Sequence, residues 1–388
     1  MKMKLRTLQL TSALSLSICF SNAANAEDFP PADEFGLSPA QGITPTEKQQ
    51  SEHDRAEIGG RLRIESTTFF SKNKKPKDAN TSNGSGAEIY IDAKGENNSR
   101  ALLRAQLKQG ADNSNPSVSI DEAKIQFALL QKVFVTGGRQ KIKFGTAKFF
   151  NPTDFLNAQT RDPFALDDRR PGIDALKIHV PGEGYNLYGI ALSPDTKKFG
   201  DTGGYWRGEL AFSKGEVSVS GLEIRNKHSH IGADASLAVG DFDVFCEAGI
   251  ANKSQISSGV NYEFKINESD SMAIALEHYY NENGFTNKAN YIPALQTGTN
   301  KSLDLGKQYL AASAYLAKPK AMSKTTLFAA VIENLNDSSF IFVPQVFHEI
   351  TKDIIASVNV QVPSGASGSE FALLNAHVIT TVALEAVF

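Results

Sequence analysis

His377-Val378-Ile379-Thr380-Thr381-Val382-Ala383-Leu384-Glu385-Ala386-Val387-Phe388 closes the chain. Its even positions read Val, Thr, Val, Leu, Ala and Phe, while the odd ones include His377, Thr381 and Glu385. That alternation is the period-two pattern of a β-strand with one apolar and one mixed face. The strand runs to the last residue and ends on an aromatic ring.

Working back from this end, the pattern recurs from Glu57 onward in segments of about ten residues separated by turns. Ile58, Gly60, Leu62 and Ile64 share a face opposite Glu57, Arg61, Arg63 and Glu65. Ala87, Ile89, Ile91 and Ala93 oppose Glu88, Tyr90, Asp92 and Lys94. Ala101, Leu103, Ala105 and Leu107 oppose Arg100, Arg104, Gln106 and Lys108. Ala123, Ile125, Phe127 and Leu129 oppose Glu122, Lys124 and Gln126. A fifth segment sets Arg139, Lys141 and Lys143 against Gln140, Ile142 and Phe144. Further strands are expected near 172–180, 184–192, 205–213, 216–225, 229–239, 242–251, 255–265, 271–281, 307–317, 324–333, 339–349, 353–362 and 376–388, which makes eighteen. Alternation is weak near 216–225 and 324–333, so sixteen is the alternative count.

The opening residues carry an export pattern. Lys2, Lys4 and Arg6 precede a mostly apolar or hydroxylic run, and Ala24-Asn25-Ala26 stands before Glu27. The expected organisation is a signal peptide over 1–26, a flexible tail or plug over 27–56 and a barrel over 57–388. Cys19 follows the bulky Ile18, which departs from the small residue of lipoprotein sites. Cys246 is then the one remaining cysteine, so no intrachain disulfide is expected. Cysteine poverty fits an oxidising envelope.

No stretch beyond the signal approaches 18 consecutive apolar residues. An exported chain that crosses lipid without helices must close a sheet, because every backbone polar group needs an internal partner. Phe388 at the end of such a strand resembles the assembly signal of bacterial outer-membrane β-barrels. That resemblance implies a place among outer-membrane lipid and lipopolysaccharide, with Phe388 read by the barrel assembly machinery. The fold class is therefore all-β, an antiparallel transmembrane barrel of about eighteen strands. A soluble periplasmic sandwich is the competing architecture, and eighteen strands in one domain is many.

The most distinctive local feature is Gly137-Gly138-Arg139-Gln140-Lys141-Ile142-Lys143-Phe144-Gly145, followed by a long segment that returns at Pro171-Gly172-Ile173-Asp174. Over residues 120–180 it resembles the alginate-export type of outer-membrane barrel, which shares a GRQ strand, a long loop and a return strand opening on aspartate. The resemblance implies eighteen strands and no particular substrate. The loop over 146–171 carries Asp154, Arg161, Asp162, Asp167, Asp168, Arg169 and Arg170. Ion pairs among them are expected to hold it inward as a constriction, or simply to solvate an outer loop.

Arg100, Arg104, Lys108, Lys124, Arg139, Lys141 and Lys143 fall on the expected lumen face as a basic sector, with Glu122 opposing them. Such a sector focuses anions. Glu209, Asp234, Asp243, Glu247, Glu263 and Glu277 form an acidic counterpart. Tyr185, Tyr188, Trp206, Tyr262, Tyr279 and Tyr280 are candidates for an interfacial girdle, while Tyr90, Tyr309 and Tyr315 face the lumen.

Nothing points to catalysis. No nucleophile elbow or phosphate-cradling glycine loop occurs. His228 and His230 lack further ligands for a metal. No cofactor and no nucleic-acid partner is implied, and no face marks an oligomer interface. The expected role is passive diffusion of small hydrophilic solutes, with anions favoured. Export of an anionic polysaccharide and a non-conducting adhesin or anchoring barrel are the alternatives.

Overall fold

The computed structural model describes residues 56–72, 74–95, 99–109, 116–130, 132–157, 163–164, 171–193, 202–225, 228–267, 270–297 and 304–388. Residues 1–55, which hold the expected signal peptide and all but the last residue of the expected tail, lie outside the described residues.

Eighteen strands form one sheet. They are β1 (Ala56–Ser71), β2 (Asn80–Lys94), β3 (Arg100–Gln109), β4 (Ser117–Leu129), β5 (Val133–Gln140), β6 (Ile173–Gly182), β7 (Tyr185–Leu192), β8 (Gly203–Phe212) and β9 (Gly215–Ile224). They continue as β10 (His230–Val239), β11 (Phe242–Ile250), β12 (Ser254–Lys265), β13 (Ser271–Asn281), β14 (Gln308–Leu316), β15 (Thr325–Asn334), β16 (Ser339–Thr351), β17 (Ile354–Ser364) and β18 (Ala376–Val387). Each strand pairs antiparallel with its neighbours in sequence, and β18 pairs with β1, so the sheet is closed. Tight turns such as Glu183-Gly184 and Lys352-Asp353 gather at one rim, while the longest connections, β5–β6 and β13–β14, sit at the other.

Closure turns the usual burial pattern inside out. On β4, Ile125 is 61% exposed while Glu122 is 5% exposed. The apolar faces of the strands look outward, with Leu62, Ile89, Leu103 and Phe127 exposed among many others. A continuous apolar exterior far exceeds the few hundred Å² tolerated on soluble proteins and matches a lipid-facing band. None of the described helices is long and apolar enough to cross a membrane.

The two strands with weak alternation, β9 and β15, are both fully paired. Their pattern is blurred for a packing reason. Leu222 on β9 and Phe328, Ala330 and Ile332 on β15 point inward yet are apolar, because an inward-folded segment packs against them.

The fifth strand differs from the sequence expectation. It ends at Gln140, so Lys141 and Lys143 lie beyond it. Gly138 has φ +110, and a Cβ there would stand 2.2 Å from the Ala123 carbonyl oxygen. The left-handed backbone that only glycine adopts freely bends the strand two residues before its ladder ends, where Gln140 pairs with Ile173, and the chain beyond runs inward.

Phe388 completes the seam. Its N–H donates to the Gly60 carbonyl at 2.9 Å, and the Gly60 N–H donates to the Phe388 carbonyl at 2.8 Å. At the opposite rim, the short helix α1 (Tyr291–Gln296) lies beside a buried knot. Glu370 accepts from Tyr309 Oη at 2.6 Å, Asn334 Nδ2 at 2.6 Å and the Leu305 N–H at 3.1 Å. Asn334 also donates to Tyr291 Oη at 3.0 Å. The Glu370 N–H also donates to Asp337 at 2.8 Å, so the β13–β14, β15–β16 and β17–β18 connections all meet at this one residue.

Deleting Phe388 removes the two seam bonds, a loss of about 1–3 kcal/mol. The heat-modifiable, folded fraction on a cold gel is expected to fall, and an unchanged fraction would show that the seam does not need this residue. Burial, aided by the Asp304 charge, pushes the Glu370 carboxyl up to about 8. The folded loop then holds a proton that the unfolded chain releases near its ordinary value, so this contribution is complete at acidic pH and fades as pH rises to about 8. Amide exchange at Leu305, corrected for intrinsic rate, should accelerate as pH rises to about 8, and Glu370→Gln should flatten that rise.

Candidate constriction and lumen wall

Residues 141–157 do not cap the barrel. They enter it and run along its inner wall. Lys141 sits at the base of this segment, its Nζ 2.9 Å from Asp121. Ile142 is buried against Ala175, Ile190 and Tyr205. The Phe144 ring stacks on Tyr205 at 5.1 Å, with the Arg207 guanidinium 5.1 Å from its centre.

Two wall carboxylates then grip the backbone. Glu247 on β11 accepts from the N–H groups of Thr146 and Ala147 and from the hydroxyls of Thr146 at 3.2 Å and Thr153 at 3.0 Å. Glu277 on β13 accepts from the N–H groups of Lys148 at 3.0 Å, Phe149 at 2.9 Å and Phe150 at 2.7 Å, and from Ser257 Oγ at 2.8 Å. Each carboxylate therefore meets four donors, about its full accepting capacity. A buried carboxylate costs several kcal/mol unless so satisfied. The segment's unpaired N–H groups and the wall's buried charges thus satisfy each other.

Aromatic contacts fasten the same stretch. Phe150 stacks on Tyr279 at 4.3 Å and lies 5.3 Å from Tyr309. Phe149 is 2% exposed within a cluster that includes Phe328, Ile332 and Val343. Gly249 admits the backbone: a Cβ there would stand 2.1 Å from the Pro152 carbonyl oxygen. Further on, the Phe164 carbonyl accepts from Gln345 on β16 at 2.9 Å.

The structure thus relocates several expected features. Of the seven loop residues proposed from sequence, Asp154 is described: it is 3% exposed and accepts from Asn157 Nδ2 at 2.9 Å. Arg161, Asp162, Asp167, Asp168, Arg169 and Arg170 lie outside the described residues. The described part is held by wall glutamates gripping backbone, a signal visible in the sequence only as acids at mid-strand. Tyr279 and Tyr188 were girdle candidates, but both face inward, Tyr279 under Phe150 and Tyr188 against Phe144 at 5.3 Å.

The basic side chains on the opposite arc stand in a ladder of pairs. Arg100 meets Asp92 at 2.6 Å, Arg104 meets Glu88 at 3.2 Å and Glu122 at 3.5 Å, and Lys124 meets Glu122 at 2.7 Å. Arg139 lies 3.7 Å from Asp174. Glu122 is therefore not the single opposing acid; Glu88, Asp92 and Asp121 join it. Lys108 and Lys143 are exposed, near the ends of their segments. Depth separates the two signs. Side-chain exposure is 7% for Glu88 against 24% for Arg104, 9% for Asp92 against 45% for Arg100, and 6% for Glu122 against 20% for Lys124. In these three pairs the acid lies against the wall and the cation stands over it; the Arg139–Asp174 pair reverses the order, at 30% against 41%.

No protein-family model and no curated protein matches this sequence. A BenF-like porin from Pseudomonas fluorescens Pf-5 matches with a TM-score of 0.55 at 13% identity, over 86% of this chain and 98% of that one. Pseudomonas aeruginosa OpdQ matches with a TM-score of 0.53 at 9% identity, over 86% of this chain and 97% of its own. A triple mutant of a Rhodopseudomonas blastica porin gives 0.45 at 11% identity, over 86% and 100%. The architecture is that of porin barrels. At these identities the likeness is one of fold, and the resemblance to the alginate-export type stands on residues 120–180 alone.

Removing both grips, as Glu247→Ala with Glu277→Ala, discards bonds to charged acceptors that contribute about 1.5–3 kcal/mol each. The segment should come free of the wall, and trypsin should cut after Lys148 in the folded barrel while leaving the parent protein intact there. Equal resistance in both proteins would show that packing alone holds the segment.

Proposed function

We propose that this chain is an outer-membrane channel through which small hydrophilic solutes diffuse passively, with anions favoured. The observation that carries the reading is the inward segment gripped by Glu247 and Glu277. It lies along one inner wall, opposite an arc lined by polar and charged side chains. An eighteen-stranded barrel is too wide for its own side chains to fill, and a segment fastened to one wall narrows a passage.

Preference for anions follows from depth rather than from excess charge. A solute passing Arg100, Arg104 and Lys124 meets guanidinium and ammonium groups first, with their partner carboxylates set behind them. Paired charges of this kind shape a field along the wall while keeping it hydrated. Export of an anionic polymer fits less well, because such a path needs continuous basic lining. Around β8–β10 the lining is acidic instead: Arg207 meets Glu209 at 2.7 Å and Asp234 at 2.6 Å.

The test is conductance of the purified protein in planar bilayers under a salt gradient. Discrete steps with an anion-selective reversal potential are expected. Changing Arg104, Arg139 and Lys141 together to glutamate should shift the reversal potential towards cations. Unchanged selectivity would remove the ladder from the mechanism, and silence from folded protein would remove the channel.

A further inference from the structure

One lumen-facing cation stands apart from the ladder. Lys177 on β6 is half-buried and, among the described residues, has no ion-pair partner. The charged neighbour that acts on it is Lys124, of the same sign. A desolvated ammonium without a counter-charge is costly and persists where a ligand or function compensates it.

Strand register builds a site around it. Lys177 pairs with Thr136, and Thr136 pairs with Gln126, so the three side chains form one row across β6, β5 and β4. Two residues along, Phe134 pairs with His179, which pairs with Tyr188. These rings stack, His179 lying 5.9 Å from Phe134 and 4.5 Å from Tyr188. Asn186 Oδ1 lies 3.0 Å from His179 Nε2 and fixes the imidazole. A recess of about 230 Å³ opens between the rows, lined by Gln126, Phe134, Thr136, Lys177 and His179. That is below the roughly 300–1,000 Å³ of sites for drug-sized ligands, so it suits a smaller solute.

We propose that this recess is a binding station for a small organic carboxylate with a flat apolar body. The carboxylate sits on the row of Lys177, Thr136 and Gln126, and the body lies against the ring edges of Phe134 and His179. Lys177 supplies the charge-assisted bond, which a neutral analogue cannot match. The station deepens the channel reading by giving the passage a stopping point, and it rests on that reading only for its role in transport.

The test uses para-fluorophenylacetate as probe and the folded full-length barrel. Binding in detergent is followed by fluorine NMR, and block of single-channel current is followed in bilayers. The parent protein should bind the acid and not its amide. Lys177→Met should weaken binding about tenfold or more, and Lys177→Arg should retain it. Phe134→Ala should weaken para-fluorophenylacetate more than acetate. Equal binding by the parent and Lys177→Met would overturn the station, as would conducting protein that binds no carboxylate. Should Lys177→Met lose its heat-modifiable migration, the contrast of acid with amide on the parent protein decides the matter. Binding that depends on Lys177 in a protein that never conducts would uphold the station and overturn the channel.

Discussion

A sheet that meets lipid cannot leave an edge, and everything in this molecule follows from that demand. With no water to satisfy them, the outer N–H and C=O groups of β1 and β18 must find each other. They do so from Arg61 with Val387 to Ser71 with Ala376. Closure makes a shell with two surfaces of opposite character. It also fixes an interior too wide to be filled by strand side chains, so a piece of chain is available to furnish it.

The furnishing piece brings its own difficulty. A segment outside any sheet carries N–H groups without partners, and taking them from water is costly unless acceptors are waiting. Glu247 and Glu277 are those acceptors, and they would themselves be costly if left bare. The arrangement is cooperative: carboxylates define where the backbone lies, and the backbone makes buried carboxylates tolerable. The rings of Phe149 and Phe150 then fill the space between, which gives the inner wall of β13–β16 its apolar patch.

How much of this was legible in the amino-acid order depends on range. Period-two alternation is a local property, so strand number and the outward face of Ile58, Leu103 or Ile125 were readable. Pairing across strands was less so. Glu88 and Asp92 lie on the polar face of their own strand, yet only the register of β2 against β3 sets them beside Arg104 and Arg100. Tyr279 alternates like a girdle residue, and only the inward segment reveals its partner, Phe150. The expected fifth strand runs four residues beyond the observed end at Gln140, because Lys141 to Phe144 continue its alternation, while the backbone turn at Gly138 leaves no period to detect. The described part of the loop was expected to depend on its own charges. It depends instead on acids about a hundred residues away.

The knot at Glu370 has a consequence for how such a molecule can change over time. Connections at an exposed rim are ordinarily where insertions settle most easily, because little else depends on them. Here three of those connections answer to one residue, Glu370, so a lengthening that suits one must leave the other two undisturbed. Novelty at this rim is channelled into the remaining connections, and the fastened three must vary together or hardly at all.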